Sequence, residues 1–132
     1  MVKITMVNDP LSDMLNQILN AQAVKQPVVW LPFSKMKLTL AKMLKKNNYL
    51  REVKKRGLGT KARLGLVLQY FDGQSAITGF KRISKPGRRL YLSPRDIRRD
   101  RGLLILSTPL GLLSGDEAKR KVSGGEVIMR VW

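Results

Sequence analysis

Two clusters of small residues in the last third of the chain are the positions best suited to contact another molecule. They flank one short segment and consist of Ser107, Thr108 and Gly111 on one side and Ser123, Gly124 and Gly125 on the other. Hydroxyls can hydrogen-bond sugar 2′-OH groups, phosphates and minor-groove base edges, and glycines let two backbones approach closely. The pattern therefore favours contact with duplex RNA. The alternative interpretation is that both clusters are ordinary strand ends and turns.

The segment between the clusters is expected to form one short helix. Ser114 and Glu117 have the S-x-x-E spacing of a capping box. The basic run Lys119–Lys121 lies at the other end, where the helix dipole favours positive charge. Helix formation therefore explains the acidic residues of this segment without a catalytic role.

The residue types most common in enzyme active sites are scarce. The sequence contains no Cys and no His, which excludes disulfides, zinc fingers, Cys–His nucleophiles and imidazole bases. Its 9 Asp and Glu residues are scattered, and several stand where helix caps are expected. We therefore predict that the chain is not an enzyme and that it holds no metal and no cofactor.

Positive charge dominates the composition. Lys and Arg number 26 against 9 Asp and Glu, which gives a formal net charge of +17. Solubility alone requires a net charge of only about 2–8 in a small domain. Nucleic acid is therefore the leading expected partner, and an anionic membrane surface or an acidic partner is the weaker alternative. No apolar run approaches the roughly 18 residues of a membrane-spanning helix, so none is expected.

Hydrophobic periodicity predicts the elements of the first half. DPLSDMLNQILNAQA is expected to form a helix capped by Asp9, and residues 27–31 a strand. A second helix is expected over residues 34–47, with a buried stripe that consists of Met36, Leu40, Met43 and Leu44. Strands are expected over residues 49–55 and 61–70. The Asp-Gly pair at residues 72–73 predicts a hairpin turn, with residues 75–83 as the partner strand.

The second half has a different character. Between Lys81 and Arg101 there are nine basic residues against two acids. Residues 93–96 predict a short capped helix, residues 103–107 a strand buried on both faces, and residues 126–132 a terminal strand. The length of 132 residues fits one domain or two very small lobes, and the first portion is expected to end near residue 74.

Four segments of the chain match patterns that occur together in one protein family. ILSTPLGLLSGDEA…SGGEVI is similar to the pattern STSxGIMTDxxA…GGE, and RISKPGRRLY is similar to RxSRPGxRxY. PFSKMK is similar to PSSKxK, and NDPLSDMLNQILNAQ is similar to DPIADMLTRIRNA. In this order and spacing, the segments resemble the small-subunit ribosomal protein S-eight family across essentially the whole chain.

The resemblance implies a fold and a function. The implied fold is α+β with two small lobes, an N-terminal αβαββ-like lobe over residues 1–74 and a mainly β lobe with short helices over residues 75–132. The implied function is binding to the central domain of small-subunit ribosomal RNA early in assembly, next to neighbouring ribosomal proteins. The location would be the ribosome of a bacterial cytoplasm or of an organelle. Because some bacterial members repress their own messenger RNA, a translational regulator outside the ribosome is the alternative.

The resemblance also assigns RNA contacts position by position. They lie in the signature loop, the glycine flank, the Ser-Lys pair and the basic turn, and they are Ser107, Thr108, Gly111, Gly124, Gly125, Glu126, Lys35, Arg82, Lys85, Pro86 and Gly87. Glu126 is interpreted as a hydrogen-bond acceptor that orients the loop, not as an acid catalyst. Pro109 and Leu110 depart from the polar pair usual after Ser-Thr, which removes one backbone N–H.

Overall fold

The computed structural model describes residues 9–98 and 102–132. Contacts divide the chain into two compact units, with the boundary between Thr78 and Gly79. Both units contain helices and strands, which confirms the predicted α+β class. The expected division into lobes after residue 74 stays a prediction, and the end of the basic run, residues 99–101, lies outside the described residues.

The described residues of the first unit include two capped helices. They are α1 (Pro10–Ala23) and α2 (Lys35–Lys46). The Ser12 N–H donates to Asp9 Oδ1 at 3.2 Å, and the Lys37 N–H donates to Ser34 Oγ at 3.1 Å. Each bond satisfies a helix N–H that has no partner within the helix, and the predicted helix starts are confirmed.

The apolar faces of these helices form much of the core of the first unit. Leu15 and Ile18 of α1 and Leu44 of α2 are fully buried. Met36, however, is 52% exposed, so the prediction that it belongs to the buried stripe was wrong. The buried stripe of α2 begins only at Leu40, one turn after Met36, and helical periodicity alone extended it too far towards the helix start.

A three-stranded antiparallel sheet completes this core. Its strands are β1 (Val28–Pro32), β2 (Leu50–Arg56) and β3 (Arg63–Leu68), in the order β1-β3-β2. All three were predicted to within two residues at each end. Leu64 and Leu66 are fully buried on one face, as the alternation of apolar residues predicted.

The predicted long hairpin after the sheet is wrong. An Asp-Gly turn does join two strands, but these are only β4 (Tyr70–Phe71) and β5 (Gln74–Ser75). The pairing of β4 with β5 is not extended to Ile77, because the backbone of Ile77 bonds to a side chain and not to another strand. The Gln22 amide donates to the Ile77 carbonyl at 2.9 Å and accepts from the Ile77 N–H at 3.3 Å. Residues 75–83 therefore do not return along β3.

In its described residues, the second unit is a mainly β structure with one α-helix. Its elements are β6 (Phe80–Arg82), β7 (Tyr91–Leu92), β8 (Leu103–Thr108), β9 (Gly111–Ser114), α3 (Gly115–Arg120) and β10 (Gly125–Val131). The sheet has the order β6-β10-β8-β9, and β7 also pairs with β10. The end of the supposed hairpin strand is thus β6, which pairs antiparallel with β10 through Phe80 and Val131.

An apolar cluster lies within the second unit. It consists of Ile97, Leu106, Leu113, Ala118 and Val127. The β8 strand was predicted. Burial on both faces was predicted for all of residues 103–107, and this part is wrong at Ser107, which is exposed. Residues 94–96 form a single 3-10 turn in place of the predicted short helix.

Candidate RNA interface

The Ser-Thr pair lies where β8 turns into β9. Pro109 and Leu110 form the two-residue loop of this hairpin, and Gly111 has a φ of +112°, which favours glycine. Thr108 Oγ1 donates to the Gly111 carbonyl at 2.7 Å and accepts from the Leu110 N–H at 3.1 Å. Thr108 is only 9% exposed, so its hydroxyl is used mainly to hold the turn.

Strand register aligns three polar side chains on one face of the sheet. Ser107 lies opposite Glu126, and Glu126 lies opposite Tyr91. Opposite residues of an antiparallel pair share a face, so the hydroxyl, the carboxylate and the phenol form one row. Ser107 and Tyr91 are exposed. The structure therefore brings two predicted residues, Ser107 and Glu126, into direct proximity.

Glu126 holds a basic side chain at the edge of this row. Its carboxylate accepts hydrogen bonds from Arg89 Nη1 at 3.3 and 3.4 Å. The Glu126 side chain is 15% exposed, whereas that of Arg89 is 58% exposed. A half-buried carboxylate thus positions an exposed guanidinium. Sequence reasoning did not single out Arg89, although it lies inside the motif RISKPGRRLY.

The two glycines of the second cluster are explained by contacts within the protein. A Cβ atom on Gly125 would lie 2.2 Å from the Ser107 carbonyl oxygen, and one on Gly124 would lie 2.4 Å from the Leu92 carbonyl oxygen. Neither position has room for a side chain. The close approach that was expected towards RNA therefore occurs first between β10 and its neighbouring strands, and it places Gly125 directly beside the Ser-Thr loop.

The basic motif forms a tight turn. Lys85 and Arg88 exchange backbone hydrogen bonds of 3.1 and 2.8 Å, and Gly87 has a φ of +79°. With Pro86 at the second position, these features define a type II β-turn. Pro86 and Gly87 shape the backbone, and the exposed basic side chains flank it.

A buried serine fixes the ends of this turn. Ser84 is 1% exposed, and its hydroxyl donates to the Leu90 carbonyl at 3.3 Å and accepts from the Leu90 N–H at 2.9 Å. Both backbone groups of Leu90 are thereby bonded to one side chain. Sequence reasoning missed Ser84 because a bond across six residues leaves no periodic signal.

A basic groove of about 620 Å³ lies beside the turn. Apolar side chains form part of its wall, and its basic side chains belong to Lys81, Arg82, Lys85, Arg88, Arg89 and Arg130. The predicted residues Arg82 and Lys85 are thus brought together. Lys35 is the one predicted site residue of the first unit, where it is exposed in the first turn of α2.

The described residues contain little that could support other chemistry. Within residues 9–98 and 102–132, no three Asp or Glu side chains are grouped so as to hold a metal ion. No helix in these ranges is long and apolar enough to cross a membrane. What the site offers is hydrogen-bonding groups, one exposed aromatic ring and fixed positive charge.

These features define the class of the protein: a small basic α+β protein with exposed cations on backbone-anchored loops, as is typical of RNA-binding proteins. Comparison with known proteins then identifies the family. The family model described as "Ribosomal protein S8" matches residues 9–132. The chain belongs to this family. It is a family of ribosomal proteins and not of enzymes, which confirms the prediction that the chain is not an enzyme.

Individual relatives cover nearly the whole chain. A protein named small ribosomal subunit protein uS8 from Rubrobacter xylanophilus is 46% identical over 130 residues, which cover 96% of this chain and 98% of that protein. Proteins of the same name from Chloroflexus aggregans and Coxiella burnetii are 44% and 39% identical, over 96% of this chain and 98% and 99% of theirs. The predicted family is confirmed.

Proposed function

We propose that the chain is a structural constituent of the small ribosomal subunit that binds the central domain of small-subunit ribosomal RNA and supports its assembly. The observation that carries this proposal is the row of Ser107, Glu126 and Tyr91 beside the basic turn. Family membership supports the ribosomal role. Location in the ribosome and contact with neighbouring small-subunit proteins belong to the same proposal.

The row can recognise RNA through groups that differ in kind. The exposed Ser107 hydroxyl suits a sugar 2′-OH or a minor-groove base edge, and the exposed Tyr91 ring suits stacking against an unpaired base. Arg89, held by Glu126, can meet a phosphate with two parallel hydrogen bonds. These contacts would position the RNA at the edge of the sheet.

The other predicted residues fall into two roles. Those that carry charge, Lys35, Arg82 and Lys85, would contact phosphates. Those that fix the backbone would present the contacts without touching RNA through a side chain, and they are Thr108, Gly111, Gly124, Gly125, Pro86 and Gly87. The basic groove supports the first role, because six cationic side chains line it. The crowded Cβ positions of Gly124 and Gly125 support the second.

The experiment that tests this function has two arms. In the first, the chain is produced in bacterial cells and lysates are fractionated, and we expect it in the fractions of the small subunit. In the second, the purified chain is titrated with a transcript of the central domain, with an unrelated transcript of equal length as control.

Specific binding to the central-domain transcript together with sedimentation in the small-subunit fractions supports the proposal. Absence from those fractions, combined with equal affinity for both transcripts, contradicts it. Absence from the subunit combined with tight binding to the chain's own messenger RNA would instead establish the alternative, a translational regulator.

A further inference from the structure

The exposed face of the three-stranded sheet in the first unit has an unusual centre. Trp30 of β1, Gly65 of β3 and Lys54 of β2 lie side by side across the three strands. A Cβ atom on Gly65 would lie 2.6 Å from Trp30 Cζ3, so the indole ring lies across the glycine backbone. A large flat side chain therefore covers the middle of this face.

Positive charge is held on top of this aromatic ring. The Arg56 guanidinium carbon lies 4.7 Å from the centre of the Trp30 ring, within the range of a cation–π contact. Arg56 lies directly opposite Arg63 in the ladder of β2 and β3, so both side chains project from the same face. Like charges directly opposite each other destabilise an antiparallel pair. The pairing of these arginines thus has a cost that an anion between them would remove.

The carboxylates among the described residues do not neutralise this charge. Among the described residues, no Asp or Glu forms an ion pair with Arg56 or Arg63. Glu52, on the same face, is bonded to Lys45 Nζ at 2.6 Å. This bond, with a second from the Val53 N–H and the charge of Lys45, holds the pKa of Glu52 below its usual value. Glu52 is therefore already charge-compensated.

We propose that the surface formed by Trp30, Lys54, Arg56 and Arg63 is a second RNA-binding site, here called the tryptophan platform. An RNA phosphate lies between the two guanidiniums, and an adjacent unpaired base stacks on the Arg56–Trp30 pair. A ring with a stacked guanidinium suits a nucleotide, because it offers a flat surface for the base and paired N–H donors for the phosphate. The inference rests on the proposed function, which supplies the RNA.

Intrinsic fluorescence can report on the platform directly. The sequence contains 2 Trp residues, Trp30 and Trp132. In the variant Trp132→Phe, Trp30 is the only indole. Titration of this variant with the central-domain transcript is expected to quench Trp30 emission, with the same midpoint as binding followed by filter retention. Binding on filters with unchanged Trp30 emission would contradict the platform and leave the proposed function intact, whereas no binding at all would contradict both.

A matched pair of variants separates a site from general charge. Arg56→Gln combined with Arg63→Gln removes two cations from the platform, and Lys42→Gln combined with Lys46→Gln removes two exposed cations from α2 of the same unit. We expect the arginine variant to bind the transcript about tenfold more weakly or worse, with a salt dependence shallower by about 1–2 in the log–log slope. The lysine variant should lose clearly less.

The melting temperature supplies an independent readout. Removing two like charges that lie opposite each other offsets the loss of the Arg56–Trp30 cation–π contact, so the melting temperature of the arginine variant should change little, although RNA affinity falls. Equal losses of affinity in the two variants would show that the platform contributes only nonspecific charge, and they would overturn the proposal. Unchanged affinity in a folded arginine variant would overturn it as well, and in that case an acidic neighbouring protein would be the partner to test.

Discussion

The hydroxyls of Ser107 and Thr108 are neighbours in sequence but have opposite environments. Thr108 is 9% exposed and bonds to both Leu110 and Gly111 within the hairpin turn. Ser107 is exposed, and its hydroxyl forms no hydrogen bond among the described residues. The Thr108 hydroxyl therefore stabilises the fold, and the Ser107 hydroxyl is available to a partner.

Exchange of each residue should separate these roles. Thr108→Val keeps the shape but leaves the Gly111 carbonyl and the Leu110 N–H without this partner, so we expect the free energy of unfolding to fall by about 1–3 kcal/mol. Ser107→Ala should change stability by less than about 0.5 kcal/mol and weaken binding to the central-domain transcript. Thermal melts and filter-binding titrations of both variants provide the measurements. A stable Thr108→Val protein together with a destabilised Ser107→Ala protein would reverse the assignment.

Residue positions were more predictable from the sequence than residue roles. The capping serine Ser114 was predicted correctly, since its partner Glu117 lies three residues away and the bond is local. The reason for Gly125 could not be read from the sequence, because it depends on the Ser107 carbonyl of a different strand. Contacts of this kind exist only after β8 and β10 have paired.

At the scale of elements, the basic turn between β6 and β7 depends on a side chain that carries no charge. The Ser84 hydroxyl bonds to both backbone groups of Leu90, and the type II turn of residues 85–88 lies between Ser84 and Leu90 in the chain. Further along, the Leu90 carbonyl accepts from the Val127 N–H of β10 at 2.8 Å. Ser84 thus connects the turn to the sheet and fixes where its cations are presented.

Ser84→Ala should loosen this connection. It leaves the Leu90 N–H without its acceptor, so we expect a loss of about 1–3 kcal/mol in the free energy of unfolding and weaker RNA binding. Ser93→Ala is the matched control, because Ser93 is exposed and, among the described residues, its hydroxyl bonds only to the Asp96 carboxylate. Urea unfolding and RNA titration of both variants test the expectation. Equal effects in the two variants would show that the buried bond has no special importance.

Elements with a local signal were predictable, and those that depend on distant partners were not. The starts of α1 and α2 and the Asp-Gly turn are all specified within a few residues, and all were predicted. The strand at residues 75–83 was placed in the wrong hairpin. No local pattern shows that the side chain of Gln22, 55 residues away, forms hydrogen bonds with the backbone of Ile77. Alternation indicates a strand but does not name its partner.

At the scale of the whole molecule, the excess of positive charge acts on folding and binding in opposite directions. A net charge of +17 on 132 residues destabilises the compact chain through self-repulsion. Dissolved salt screens this repulsion over a Debye length of about 10 Å at 0.1 M, and a bound RNA removes it by neutralisation. The same charges that make the free protein less stable are therefore the ones that hold the RNA.

Salt should consequently affect stability and affinity with opposite signs. As potassium chloride rises from about 50 to 200 mM, affinity for the central-domain transcript should fall about a hundredfold or more, because each neutralised phosphate releases counterions. Over the same range the melting temperature of the free protein should rise, because screening weakens repulsion among its cations. Lys85→Gln should reduce the log–log slope by about 1. The measurements are filter-binding titrations and thermal melts in one salt series. An affinity that does not change with salt would rule out a phosphate-dominated interface, and a melting temperature that falls with salt would show that favourable ion pairs outweigh repulsion in this protein.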